Sequence, residues 1–224
     1  MTGAVLLPES HPWGVGLLWL GAYLVGGIPV GWLVGRLAGV DLRQVGTHKI
    51  GTSNLFRSVG LLPAAVVGPL QFAQGLAAVL VAVLLGAPAW VIAGAGLCAV
   101  IGNGWPAYMQ YNGGRGVASA TGAVALWSWG GFAYVLVLVI VGGVLRRSAL
   151  GVLLAYAGLP VVLWLTGASP AFAIAAVGIL ACLVLRRFEG YHPFRGGSQR
   201  DSDSWVGRLL FDRAPSDQPI DSQG

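Results

Sequence analysis

The chain reads as an all-α integral membrane protein of about seven transmembrane helices, two of them short. Three observations predict this. Hydrophobic residues fill 56% of the 224 positions and charged residues only 9%. Mean hydropathy is +0.75. The apolar runs are long and continuous, as helices that satisfy their own backbone in lipid require, and do not alternate as barrel strands do.

Residues 1–12 are expected as a short extracytoplasmic N-terminus, 13–190 as the polytopic body, and 191–224 as a polar, disordered cytoplasmic tail. Residues 13–35 carry no charge and are long enough to span ~30 Å of hydrocarbon. Pro29 should kink that span. No Lys or Arg precedes Arg36, so the run lacks the charged leader of a secretory signal and is expected to stay as an anchor. Gly27, Gly31, Gly35 and Gly39 recur every fourth residue and offer a smooth face for helix contact, with room for an acyl chain along it. Residues 61–85 and 88–108 make two further spans. The uncharged stretch 116–145 reads as a hairpin of two short helices turning at Gly130-Gly131. Residues 149–165 and 170–185 complete the set, and residues 205–211 of the tail should rest on the membrane surface.

The hairpin decides the orientation. With it, all thirteen Lys and Arg fall on one side, which the positive-inside rule makes the cytoplasm. The N-terminus is then outside and the C-terminus inside. Trp13, Trp90, Trp127, Trp129 and Trp164 would form an aromatic belt at the outer interface.

The same charge pattern narrows the function. Cations that punctuate membrane segments form no continuous stripe for nucleic acid. Cys98 and Cys182 lie in apolar runs and behave as small hydrophobes, which argues against a disulfide. Only Asp41 lies between Glu9 and Glu189 among the acids, so neither a paired-carboxylate mechanism nor a carboxylate metal site is expected. Transport is disfavoured because the spans lack inverted repeats and ionisable residues.

Two polar islands interrupt the apolar body. The first is Gly46-Thr-His-Lys-Ile-Gly51-Thr-Ser-Asn54-Leu-Phe-Arg57, and the second is Asn112-Gly-Gly-Arg115-Gly-Val. Small hydroxyls, exposed NH groups and arginines make anion sites, and a helix starting near Ser53 or Asn54 would add its positive end. A phosphorylated substrate handled at the lipid surface is the expected ligand.

The first island resembles the opening motif of the PlsY family of bacterial glycerol-3-phosphate acyltransferases, GSGNxGATNxxR. Residues 102–106, Gly-Asn-Gly-Trp-Pro, followed by Tyr111-Asn-Gly113-Gly114-Arg115-Gly-Val-Ala118, are similar to the family's GHxxPxxxxFxGGKGVAT. The resemblance runs in order from about Trp19 to Glu189. It implies acyl transfer from an acyl phosphate to the primary hydroxyl of glycerol 3-phosphate at the cytoplasmic face of the bacterial inner membrane. Lysophosphatidate and phosphate are the implied products, with no cofactor and no metal. An upstream enzyme that forms acyl phosphate is the implied partner, besides membrane lipid.

By position, Thr47 takes the place of a phosphate-binding Ser, Arg57 matches an Arg, and Arg115 replaces the Lys of GGKG. These three are the implied catalytic residues. Ser53, Asn54, Gly113, Gly114 and Ser148 are implied in substrate binding, with Ser53 and Asn54 capping a helix over the phosphate. His48 and Lys49 stand where the motif has Gly and Asn, Asn103 where it has His, and Gln71 and Gln74 where a DxxKG segment has its ions. The third motif, RHRENI, aligns with Arg186-Arg-Phe-Glu-Gly-Tyr191, so Arg187 replaces its His and Gly190 its Asn. His48 and Arg187 are therefore candidate compensating ligands. The same scaffold admits a second reading: a protein that binds a phospholipid or phosphate without turnover, or acts on a different acceptor.

Overall fold

The computed structural model describes residues 12–189 and is helical throughout them. The expected N-terminal segment and the tail, with its surface stretch 205–211, lie outside these residues. Helix α1 spans Pro12–Gly27, α2 Val30–Leu37, α3 Thr52–Ser58, α4 Leu61–Leu84 and α5 Ala89–Gly104. After a short 3-10 turn at Ala107–Met109 come α6 (Val117–Trp127), α7 (Trp129–Val144), α8 (Ser148–Leu165) and α9 (Pro170–Phe188). Five segments are long and apolar enough to cross a membrane, and α6 and α7 are shorter apolar helices. At 1.5 Å per residue α6 spans only about 16 Å, half the hydrocarbon thickness.

Small residues bring these helices together. A Cβ on Gly75 would lie 1.9 Å from the Ser119 carbonyl, and one on Gly122 2.0 Å from that of Phe72, so α4 and α6 touch backbone to backbone. Helices α6, α8 and α9 then enclose the main core, in which Tyr156, Leu159, Leu163 and Ile179 are fully buried. Without a hydrophobic drive between helices in lipid, such close packing supplies the association energy.

The first span breaks where a kink was expected. Proline cannot continue the ladder, and α1 stops before Pro29 while α2 restarts after it. The Val25 and Ile28 carbonyls at the break, each also bonded to a backbone NH, accept from the Gln74 amide at 2.9 Å each. The glycine ridge is occupied by protein. Gly31 abuts the Ile50 carbonyl, Gly35 meets Leu42, and Gly39 has left the helix at φ +78°. The ridge is therefore a seat for the loop 38–51 and leaves no room for an acyl chain.

The hairpin turns at Ser128 and not at Gly130-Gly131. Ser128 is extended, and its hydroxyl caps α7 by accepting from the Gly131 NH at 3.2 Å. The two glycines serve instead as contact points: a Cβ on Gly130 would lie 2.8 Å from Thr166, and one on Gly131 3.1 Å from Leu163. Ser128 and Thr166 hydroxyls, 3.2 Å apart, tie this turn to the α8–α9 turn at one end of the bundle. Trp13, Trp90, Trp129 and Trp164 are exposed as a belt requires, whereas Trp127 is 5% exposed and stacks on Phe172 in the core. The cation-bearing segments come together at the opposite end.

Candidate active site

At that opposite end a groove of about 950 Å³ opens between α3, α4, α6, α7 and α8. Its mouth is polar: Ser53 and Arg57 of α3, Arg115 ahead of α6, Arg146 and Ser148 at the α7–α8 turn, and Arg187 of α9. Its walls are apolar, with Ala65, Pro69 and Phe72 of α4 facing Val117 of α6, Val139 of α7 and Val152 of α8. Among the described residues, no carboxylate and no imidazole lines it. The first residues of α6 and α8 also line the groove, so their unpaired NH groups and dipole ends favour negative charge there.

Each arginine arrives by a different route. Arg57 lies one turn past Ser53 on α3, whose N-cap is Gly51. Ser53 and Asn54 thus sit inside the helix and do not cap it. Ser148 is the first residue of α8, and the Arg187 guanidinium donates to the Ala149 carbonyl beside it at 3.0 Å. The bond fastens α9 to α8 at the groove mouth and holds Arg187 where the third motif has a His. Arg115 follows Gly113 and Gly114, a buried pair lying on the C-terminal end of α5. A Cβ on Gly113 would come 2.2 Å from the Asn103 carbonyl, and the Gly114 NH donates to that carbonyl at 2.9 Å. The pair shapes the chain and stays out of the groove lining, so its implied role in binding gives way to one in scaffolding. Gly116, in the left-handed region at φ +80°, then turns the chain into α6.

Asn54 also departs from its implied role. It is 1% exposed, and its amide nitrogen donates to the carbonyls of Leu42, Val45 and Lys49 at 3.1, 3.1 and 2.9 Å. Its carbonyl oxygen accepts from the Thr47 NH at 3.0 Å. Asn54 is the staple of the loop 38–51, with no hydrogen-bonding direction left for a substrate. Thr47 lies on the stapled side, outside the groove lining, and its buried hydroxyl has no hydrogen-bond partner among the described residues. His48 is exposed, and its Nδ1 donates to the Arg43 carbonyl at 2.9 Å. Its φ of +56° explains the Gly in the resembling motif: the position is left-handed, and the imidazole faces away from the site.

Several groups at or near the mouth were not singled out from the sequence. Arg146 carries a fourth guanidinium into the groove, although its place in a pair at a helix end reads as topogenic. The Thr52 hydroxyl donates to Gln71 Oε1 at 2.9 Å, and both line the groove. Two amides three residues apart in an apolar span were the signal for this layer. Lys49 is mostly buried, with its Nζ 3.9 Å from Glu189. Burial, then the Arg186 charge and more weakly Arg115, hold its ammonium pKa down at about 8 against the opposing Glu189. Among the described residues no cluster of His, Cys, Asp or Glu could hold a metal ion.

With this geometry in place, the sequence matches the glycerol-3-phosphate acyltransferase family over residues 16–191. The chain belongs to that family. A glycerol-3-phosphate acyltransferase of Trichlorobacter lovleyi is 33% identical over 82% of this chain and 96% of its own length. One from a Synechococcus strain is 39% identical over 75% of this chain and 84% of its own. The match to the Rubrobacter xylanophilus member, at 45% identity, spans only 53% of that protein. Among solved structures, PlsY, described as an integral membrane glycerol 3-phosphate acyltransferase, superposes in its glycerol 3-phosphate form with a TM-score of 0.74. That match is 29% identical and covers 79% of this chain and 89% of PlsY. The lysophosphatidic acid form gives 0.71 at 27% identity over 78% and 88%.

Proposed function

We propose that the protein transfers an acyl group from acyl phosphate to the primary hydroxyl of glycerol 3-phosphate, releasing lysophosphatidate and inorganic phosphate. One observation carries this reading: guanidinium groups and hydroxyls gather at the mouth of a long apolar groove that, among the described residues, holds no carboxylate or imidazole. The acyl chain lies between α4 and α7 over α6, and its phosphate meets Arg115, Arg146 and the first turn of α8 at Ser148. Glycerol 3-phosphate binds beside it through Ser53, Arg57 and Arg187. Glycerol 3-phosphate stands in the relatives' names; the acyl-phosphate donor is what the motif resemblance implies, and the cationic mouth of the apolar groove supports the division between the two phosphates.

The glycerol hydroxyl oxygen attacks the acyl carbon, the bond from that carbon to the bridging phosphate oxygen breaks, and phosphate departs. The hydroxyl proton passes to a phosphate oxygen. A phosphate with a second pKa near 6 is a competent acceptor at neutral pH, so a groove without a protein base suffices. Arginine forks orient both phosphates and stabilise the charge that develops on the leaving group. The cation-rich end faces the cytoplasm of a bacterial inner membrane, where an enzyme forming acyl phosphate would supply the donor.

The test is phosphate release by the purified protein in lipid, given palmitoyl phosphate with and without glycerol 3-phosphate. Acceptor-dependent phosphate with equal lysophosphatidate is the expected result. Phosphate release indifferent to the acceptor would mean a hydrolase, and none at all a protein that only binds its ligand.

A further inference from the structure

Arg186 stands in the last turn of α9, next to the groove-lining Arg187, yet it is 3% exposed and lines no part of the groove. Its Nε donates to the Gly114 carbonyl at 3.0 Å and its Nη2 to the Gly113 carbonyl at 2.7 Å. Its Nη1 pairs with Glu189, and the guanidinium lies over the Trp105 ring, 5.3 Å from the centroid. All three nitrogens are thus spent on the protein. What they hold is the two residues immediately before Arg115.

The other sides of that segment are closed as well. Asn103 fixes the Gly114 NH from α5, and Gly51 of the first island packs against the backbone of Gly114 and Arg115, 3.6 Å from where its Cβ would stand. Glu189 reaches both Lys49, from the first island, and Trp105, at the end of α5. One carboxylate therefore joins α9 to the first island and to the helix end on which the second island rests. Glycine restrains its neighbours least, so the direction of the backbone at Arg115 depends on what holds Gly113 and Gly114.

We infer that Arg186 is a positioning residue: it clamps the Gly113 and Gly114 carbonyls so that Arg115 points into the groove, and Glu189 with Lys49 latches the clamp. On this assignment the Arg and Glu that the chain shares with the third motif act through Arg115 and touch no substrate. The inference rests on the proposed site only in that Arg115 must meet a phosphate.

A double-mutant cycle tests it, because residues acting through one another are non-additive while independent ones add. Arg186→Gln and Arg115→Ala should each lower kcat/KM by about 10²-fold, the cost of losing one oriented charge donor, and the double variant should fall less than about threefold below the weaker single. Glu189→Gln, which leaves both carbonyl bonds of Arg186 in place, should raise KM several-fold with kcat nearly unchanged and should add nothing in the Arg115→Ala background. Multiplicative losses in either cycle would overturn the inference. If Arg186→Gln does not fold, the Glu189→Gln cycle decides alone. If the wild type turns nothing over, the proposed reaction is wrong, and the same cycles are read in the affinity for inorganic phosphate. There, a loss on Arg115→Ala that Glu189→Gln does not deepen supports the clamp, and phosphate binding indifferent to Arg115 refutes it.

Discussion

Residues 46–57 and 112–116 each combine glycines with one groove arginine, yet they are held by different means. The first is stapled from within by Asn54, whose partners lie at most twelve residues away. The second is clamped from outside by Arg186, 72 residues downstream. A local staple can form as soon as α3 does. The Asn103 bond to the Gly114 NH is as local as the staple, but the Arg186 clamp is completed only when α9 has docked, so the second island depends on the finished bundle more than the first does.

Substitutions can break this comparison at either island, and the largest effect is expected at Asn54. Asn54→Ala takes from the Leu42 and Lys49 carbonyls and the Thr47 NH the bonds that Asn54 makes, and leaves the Val45 carbonyl only its bond from the His48 NH, which costs about 3 kcal/mol. Thermal unfolding in detergent should show a clear loss of melting temperature together with activity. An unchanged melting temperature would show the loop to be held by other contacts. Next in size, Arg57→Ala should lower kcat/KM by about 10²–10³-fold with the melting temperature unmoved, since the residue belongs to the groove and not to the staple. A stability loss matching the activity loss would place Arg57 in the scaffold.

A smaller effect sharpens the link between the islands. The Lys49 ammonium titrates near pH 8 in the folded protein against 10.5 unperturbed. Between those values the unfolded chain keeps a proton that the folded one has released, so stability rises with pH from about 8 upward. Lys49→Asn should flatten that rise and remove the underlying penalty, as melting temperatures compared at neutral and alkaline pH would show. A slope unchanged by the substitution would mean that another group is responsible. The smallest effect belongs to His48, held at φ +56° by the fold. His48→Gly relieves a left-handed side chain and should stabilise by up to about 1 kcal/mol with activity intact, whereas a loss of activity would return the imidazole to the site.

Much of this architecture is legible in the sequence, because bilayer thickness and the cost of unpaired backbone leave few options for long apolar runs. The helix order, the hairpin in 116–145 and the gathering of cations at one end follow from those constraints. Pattern alone misplaced the turn at Gly130-Gly131, since glycine marks close contact in lipid as readily as a turn, while the capping hydroxyl of Ser128 marked the true one. The glycine ridge of the first span misled for the same reason: it showed that something packs closely there, but not that the 38–51 loop was the occupant. At the site, Ser53, Arg57, Arg115, Ser148 and Arg187 were found by position and do line the groove. Asn54, Gly113 and Gly114 carry the same motif signal but serve the backbone, and a motif does not separate ligands from the residues that hold them. Arg186 could not be told from a topogenic charge, because only the folded chain brings the Gly113 and Gly114 carbonyls to it.

The central claim is that the groove directs the acceptor hydroxyl to the acyl carbon and keeps water out. Turnover of palmitoyl phosphate with glycerol 3-phosphate in heavy-oxygen water, followed by mass spectrometry of all products, tests it most directly. Lysophosphatidate and phosphate both free of label are the predicted result. Label in free fatty acid or in phosphate would mean that water attacked the carbon or the phosphorus, and would contradict the account.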